Sequence, residues 1–317
     1  MHEGTINPPG FDGAVDRPGL GRGRDGRAGR PRNEGGPEDQ HGPAPRRAGR
    51  TPDAPRPLSP PHLLRAPGVF PVRVDFLGTG AGNFRGSRRT PSSTLFGPLL
   101  LDCGAGATGR LYDVDRFGEV DGVLISHLHS DHIAGLFDFL LHTLISGRKR
   151  PLTLVSPPGL GEILRAAFAV KSTVVEPGEI YPFRLIEAER VDVEIAGWRV
   201  QSVPLDHTVV NHGYLLTSEN ITAFYSGDTR EPSVSRTLRA DYVIHEATFS
   251  ETHADLARRF GHSTGAQAAE TAASMHARQL WINHVGDEPN AENEIAAEAR
   301  RAFPDSVVVE DRASFRI

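Results

Sequence analysis

Residues 126–135 read SHLHSDHIAG and follow directly on the apolar run Val123-Leu124-Ile125. A short apolar run of this kind suits a buried strand, while the apolar residues of HIAGLFDFLLHTLIS that come next recur at helical spacing, so the stretch predicts a strand turning into a helix. The chemistry sits in the turn. In an extended segment residues i and i+2 point the same way, which brings His127 and His129 together. Asp131 and His132 then open the helix and aim back at the same point. A neutral imidazole and a carboxylate are both good ligands for zinc or a similar divalent ion. The chain has 14 histidines, and a random scatter of surface histidines would rarely fall as H-x-H-x-D-H directly behind a buried strand.

Working outward, the same alternation continues on both sides. VFPVRVDFLGTGAGN from Val69 is a strand running into a Gly-rich turn, followed by one strand each in TLFGPLLLD, DGVLIS and LTLVS and a helix in GLGEILRAAFAV. Residues 191–225 read as consecutive strands, VDVEIAG, WRVQSVPL, GYLLTS and ITAFYSGD. The last third alternates again, with strands in DYVIHEA, QLWINH and SVVVED and helices in STGAQAAETAASMHA and AENEIAAEARRAF. Strands and helices mixed in this way predict helices packed outside β-sheets, a layered α/β domain over residues 69–317. Residues 1–68 are different in kind. They are rich in Gly, Pro and Arg, hold about half of the chain's 25 prolines and show no apolar periodicity, as expected of a disordered segment. Two readings stand for that segment, a tail that binds nucleic acid through its arginines and a solvated appendage. The acidic residues mixed among the arginines favour the second.

Composition narrows the chemistry. A formal net charge of -5 describes no polyanion-seeking protein overall. The single cysteine, Cys103, excludes an intrachain disulfide framework and zinc sites built from cysteine pairs, so metal chemistry here falls to His and carboxylates. No apolar stretch approaches the roughly 18 residues of a membrane span and no signal-peptide hydrophobic region opens the chain, which predicts a cytoplasmic protein. Further ligands are expected at later strand ends, where an α/β framework gathers its functional groups. His207 follows WRVQSVPLD, Asp228 follows ITAFYSG and His284 follows QLWIN. Singly, a strand-end His is more often a hydrogen-bonded surface residue, and Gly-Asp is a common turn. With His127, His129, Asp131 and His132 they make seven ligands, enough for two ions that share the Asp228 carboxylate and a hydroxide.

HLHSDH, together with FLGTGAGN, LLLDCGAG and YSGDT in that order, closely resembles the metallo-β-lactamase superfamily. The resemblance covers roughly residues 70 to 317 and implies a four-layer αβ/βα sandwich with a binuclear site between its two sheets. It assigns His127, His129 and His207 to one ion, Asp131, His132 and His284 to the other, and Asp228 to both. Asp102 would anchor a ligand from behind, and Cys103 would be a small buried hydrophobe. DHTVVNHGYLL, HEATF (245–249) and GHSTGAQAA (261–269) resemble ribonuclease Z and its phosphodiesterase relatives. In that family the histidine matching His262 protonates the leaving oxygen and the carboxylate matching Glu246 orients it, while Asp131 helps to orient the nucleophile. An imidazole held by a carboxylate suits general-acid work whatever the name. The bland alternative for His262 is a residue placed just before a helix cap at Ser263.

Two departures bear on the substrate. Ribonuclease Z enzymes generally carry a long arm that grips transfer RNA, and TSENITAFYS leaves room there for a hairpin only; NHVGDEPN after His284 also departs from the S-x-RY segment of that family. The expected activity is therefore a binuclear metal-dependent phosphodiester hydrolase acting on cyclic nucleotides, other small phosphodiesters or RNA ends. Its cofactors would be two divalent ions, Zn2+ or, at the oxygen-rich positions, Mn2+. Ester, thioester or lactone hydrolysis by the same ions, true tRNA 3′ processing, and a non-catalytic nucleic-acid-binding role for the arginine-rich tail are the alternatives. The resemblance further implies a homodimer.

Overall fold

The computed structural model describes residues 71–82, 89–169, 177–230 and 237–317. The segment 1–68, its boundary with the domain, Asn83 at the end of the Gly-rich turn and Val170 at the end of the expected second helix lie outside the described residues. No helix among the described residues is long and apolar enough to cross a membrane.

In chain order the first strands are β1 (Arg73–Gly78), β2 (Ser93–Phe96), β3 (Leu99–Leu101), β4 (Gly122–Leu124), β5 (Leu152–Ser156) and β6 (Phe183–Glu187). They are followed by β7 (Asp192–Ile195), β8 (Trp198–Leu205), β9 (Asn211–Thr217), β10 (Thr222–Tyr225), β11 (Tyr242–Glu246), β12 (Gln279–Asn283), β13 (Ser306–Val308) and β14 (Ser314–Arg316). They form two seven-stranded sheets, ordered β14-β1-β2-β3-β4-β5-β6 and β13-β12-β11-β10-β9-β8-β7. From β14 and from β7 the pairing runs identically, three antiparallel neighbours and then three parallel ones. The chain has thus built one pattern twice, with its last strand closing the edge beside β1.

The helices are α1 (Ala107–Asp113), α2 (Ser130–Ile133), α3 (Leu136–Ile145), α4 (Leu160–Phe168), α5 (Pro177–Ile180), α6 (Ala254–Phe260), α7 (Gly265–Ser274) and α8 (Ala291–Ala302). Period-2 alternation sorts each central strand between two cores. Phe76, Phe96, Leu101 and Leu124 of the first sheet meet Val200, Leu216, Tyr225, Ile244 and Trp281 of the second. Their chain neighbours Leu77, Leu95, Leu100 and Val123 face away, onto Leu111 of α1, Leu136 and Phe139 of α3, and Leu160 of α4. On the far side Phe224, Val243, Leu280 and Ile282 pack on Ala268, Ala269 and Ala272 of α7 and on Ile295 and Ala299 of α8. Both sheets are therefore covered on both faces, which is the four-layer αβ/βα sandwich. Each fully buried Leu or Phe contributes about 1.5–3 kcal/mol by leaving water.

Besides TLFGPLLLD, which is not one strand but the antiparallel pair β2 and β3 turning at Gly97 with φ +56°, two local expectations are corrected. The stretch HIAGLFDFLLHTLIS is not one helix, because α2 ends at Ile133 and α3 starts at Leu136. The cause lies across the fold: Gly135 N donates to the Cys103 carbonyl at 2.9 Å and Cys103 N donates to the His132 carbonyl at 2.8 Å. This docks the chain so tightly that a Cβ on Gly135 would stand 2.1 Å from the Gly104 oxygen. Gly135→Ala must shift backbone against backbone, and we expect it to lower the unfolding free energy by about 1–3 kcal/mol in a urea titration. An unchanged midpoint would remove this explanation of the break. The second correction concerns α7, whose N-cap is Thr264 in a capping box with Gln267, not Ser263. Ser263 instead donates its Oγ to the Thr229 carbonyl at 2.7 Å and its N–H to Glu246 at 3.0 Å.

Candidate metal centre

Loops that leave the C-terminal ends of strands in both sheets carry the chemical groups. His127, His129, Asp131 and His132 leave β4, His207 leaves β8, Asp228 leaves β10, Glu246 ends β11 and His284 leaves β12. The structure brings all seven expected donors together. His127, His129, His207 and Asp228 form one group and Asp131, His132 and His284 another, with the donor atoms in each group within 4.8 Å of one another. Asp228 Oδ2 reaches both, standing 3.6 Å from His127 Nε2, 3.3 Å from His132 Nε2 and 3.4 Å from His284 Nε2.

Hydrogen bonds behind the imidazoles decide which nitrogen each one presents. His132 Nδ1 donates to Asp102 Oδ2 at 2.7 Å, and His207 Nδ1 donates to the Gly261 carbonyl at 2.6 Å. Ser126 Oγ gives its proton to Asp102 at 2.8 Å and so accepts from His127 Nδ1 at 3.0 Å. Thr248 Oγ1 gives its proton to Glu246 Oε2 at 2.9 Å and so accepts from His284 Nδ1 at 2.9 Å. With Nδ1 spent, each of these four rings turns its Nε2 to the centre, the arrangement that raises ligand basicity in metal sites. His129 instead presents Nδ1, 2.9 Å from His127 Nε2 and 3.2 Å from His207 Nε2.

These donors fit divalent cations. His132 Nε2 and His284 Nε2 face each other at 3.2 Å, and Asp131 Oδ2 lies 3.5 and 3.4 Å from them. Ligands held about 2.0–2.1 Å from a tetrahedral ion stand about 3.3–3.4 Å apart, close to these spacings. The remaining Asp228 oxygen, Oδ1, is buried with no hydrogen-bond partner, which for an ionised carboxylate is costly without a positive charge nearby. Burial opposes charge on Asp228, yet His284, His132 and His127 hold its carboxyl well below the ordinary range. Asp131, likewise opposed by burial, is brought down by hydrogen bonds to His132 and His284. Burial pushes His127, His129 and His207 down. His132 goes the other way, because Asp228 and Asp102 outweigh its burial and raise it well above the ordinary histidine value. The centre is anionic and asks for positive charge.

Beside it stands a second pair. His262 Nδ1 donates to Glu246 Oε1 at 3.1 Å, and the same oxygen accepts from Thr229 N and Ser263 N at 3.0 Å each. Burial opposes the imidazolium, but Glu246 and then Asp228 push His262 up to about 9. Glu246 is held below its ordinary value by His262 despite full burial. His262 Nδ1 is 3.8 Å from Asp228 Oδ2, and its ring stacks on His284 with centroids 5.4 Å apart.

Asp102 is completely buried and also accepts from Tyr225 OH at 2.5 Å and Ser126 N at 2.7 Å. Cys103 is a buried free thiol whose pKa burial pushes up, in keeping with a packing role. Gly227 takes φ +58° and a Cβ there would meet Ser126 Cβ at 2.5 Å, so the residue before Asp228 has to be glycine. His212 and His245 lie outside the donor groups. Sequence reasoning passed over Ser126, Tyr225 and Thr248, although each lies inside or beside a quoted motif. Their roles rest on partners far along the chain, as with Tyr225 and Asp102, 123 residues apart.

Residues 98–285 match the family model described as the β-lactamase superfamily domain. The chain is 31% identical to a ribonuclease Z from Bacillus licheniformis, over 74% of this chain and 96% of the relative. That alignment runs over 295 positions although it takes in only 74% of the 317 residues here, so the relative carries residues this chain lacks. Among solved structures, the metallo-β-lactamase fold protein YhfI from Bacillus subtilis superposes with a TM-score of 0.66 at 20% identity, covering 78% of this chain and 99% of its own. The short form of human tRNase Z gives 0.63 at 22% identity, covering 77% and 98%.

Proposed function

The chain belongs to the β-lactamase superfamily, in its ribonuclease Z-like, metal-dependent hydrolase part, and from that premise we propose that it hydrolyses small phosphodiesters such as cyclic nucleotides, or the ends of RNA. His127, His129 and His207 would hold one divalent cation, Asp131, His132 and His284 a second, and Asp228 both, with Zn2+ favoured by the imidazole-rich set. Bound there, such ions supply Lewis acidity toward phosphoryl oxygens and a water acidified enough to attack near neutral pH.

The residues supply the rest. Asp131, 15% exposed at the mouth of the centre, orients the attacking water. His262, with Nδ1 tied to Glu246, offers Nε2 for protonating the leaving alkoxide, and Glu246 keeps the ring turned and charged. The His262–Glu246 pair beside the shared Asp228 carries this reading, because an alkoxide leaves a phosphodiester readily only when it is protonated. Asp102, Ser126, Thr248 and the Gly261 carbonyl hold the imidazoles in place.

A short β9–β10 connection argues against transfer RNA as the substrate. Only residues 218–221 join the two strands, closed by Ser218 N donating to the Ile221 carbonyl at 2.9 Å, which leaves no arm at that point. After loading with Zn2+ or Mn2+, the protein is expected to hydrolyse bis(p-nitrophenyl) phosphate and to leave thioesters, lactones and a precursor tRNA uncut. Acyl hydrolysis with an inert phosphodiester would reverse the assignment, and accurate tRNA 3′ cleavage would show that the arm is dispensable.

A further inference from the structure

Exposed apolar side chains gather on two segments that border the same pair of imidazoles. Val209 and Val210, 41% and 61% exposed, follow His207, and Leu256 and Phe260, 37% and 49% exposed, lie one helical turn apart on α6, just before His262. The segments touch at the site: His207 Nδ1 donates to the Gly261 carbonyl at 2.6 Å, and the His207 and His262 rings stand 5.2 Å apart. Phe260 precedes His262 by two residues, so their Cα atoms are within about 7 Å by chain geometry. Only Ala257 of α6 is buried, so the helix has little reason of its own to place a phenyl ring in water.

The charge beside that ring has no acidic partner among the described residues. Arg259 Cζ sits 5.5 Å from the Phe260 ring centroid. Its neighbours are paired, Arg258 with Asp255 at 3.2 Å and Arg230 with Asp206 at 2.7 Å, whereas Arg259 has no ion pair among the described residues. An exposed aromatic face backed by a free guanidinium is the usual means of holding a nucleobase on a phosphodiester chain, since every base offers a π-face and every link a negative charge.

We propose that Phe260 and Arg259 form a stacking platform for the base of the nucleoside that carries the leaving oxygen. The platform rests on the phosphodiesterase reading and narrows it: substrates are diesters with a nucleoside on the leaving side, the side on which His262 delivers its proton. Val209 and Val210 border the same site and exclude water from the stacked base. A stacked base is worth about tenfold or more in binding.

The test uses the full-length, metal-loaded protein and four diesters: bis(p-nitrophenyl) phosphate, deoxyadenylyl-(3′→5′)-thymidine, and two versions of that dinucleotide, each with one nucleoside replaced by abasic tetrahydrofuran. Product analysis identifies which sugar leaves. Wild type is expected to lose about tenfold in kcat/KM when the leaving nucleoside is abasic, mainly through KM, and much less when the other one is. In Phe260→Ala and in Phe260→Leu, which keeps apolar bulk without a ring, that ratio should fall toward one, while Phe260→Trp preserves it. Fluorescence quenching of 2-aminopurine riboside on binding supplies a readout independent of turnover and should vanish in the same two variants. Hydrolysis of bis(p-nitrophenyl) phosphate with no base preference in wild type, or a preference unchanged in Phe260→Leu, overturns the platform alone. Inertness toward every diester overturns it together with the phosphodiesterase reading.

Discussion

Asp228→Ala should abolish measurable hydrolysis and reduce the divalent metal retained after gel filtration from two ions per chain to less than one. Asp228 Oδ2 stands within 4.0 Å of His127, His132, His207 and His284, so this one oxygen joins the two donor groups. Without it each group keeps three donors from elsewhere, but the first is left with imidazoles alone and no carboxylate joins it to the second, which keeps Asp131. Removing one partner from a buried charged network costs about 3–5 kcal/mol, equivalent to a loss of about a hundredfold to several thousandfold in affinity for the ions it holds. Metal content by elemental analysis checks the prediction. Full occupancy in the variant would mean that Asp228 is not shared.

His262→Ala should behave in the opposite way, keeping its metal while losing about 10²–10⁴ in kcat, the range expected for general-acid catalysis. The ring nitrogen that comes within reach of Asp228 and His284 is Nδ1, 3.8 Å from Asp228, and it is already committed to Glu246 at 3.1 Å, so His262 is expected to add little to metal binding. The loss should depend on the leaving group. p-Nitrophenolate departs without a proton, so bis(p-nitrophenyl) phosphate should suffer far less than a dinucleotide whose alkoxide needs one. Equal losses on the two substrates would assign His262 to binding, and no loss on either would remove it from the reaction.

Most strands were legible because an apolar run whose alternate residues serve two cores, such as Leu99-Leu100-Leu101 or Leu280-Trp281-Ile282, suits little else, whereas β6 and β14 went unread because FRLIE and SFR keep their residues partly or fully exposed. The donors were legible because an H-x-H-x-D-H cluster and strand-end His and Asp residues have few other uses. What escaped depended on contacts between segments distant in sequence. The split between α2 and α3 comes from Gly135 meeting Gly104, and no local signal carries that. Helix α6 has one buried residue, Ala257, so it lacks the apolar stripe by which a helix is recognised. Thr248 and Tyr225 look like ordinary strand-end polar residues until Glu246, His284 and Asp102 are seen around them. Thr264 displaced Ser263 as the cap because Ser263 is drawn to Glu246 and Thr229.

Anomalous diffraction from crystals of the zinc-loaded protein tests the binuclear centre most directly. Two peaks are expected at the strand-end edge, one bounded by His127, His129 and His207, the other by Asp131, His132 and His284, with Asp228 between them. No peak at these residues, or zinc bound only elsewhere on the chain, would contradict the account.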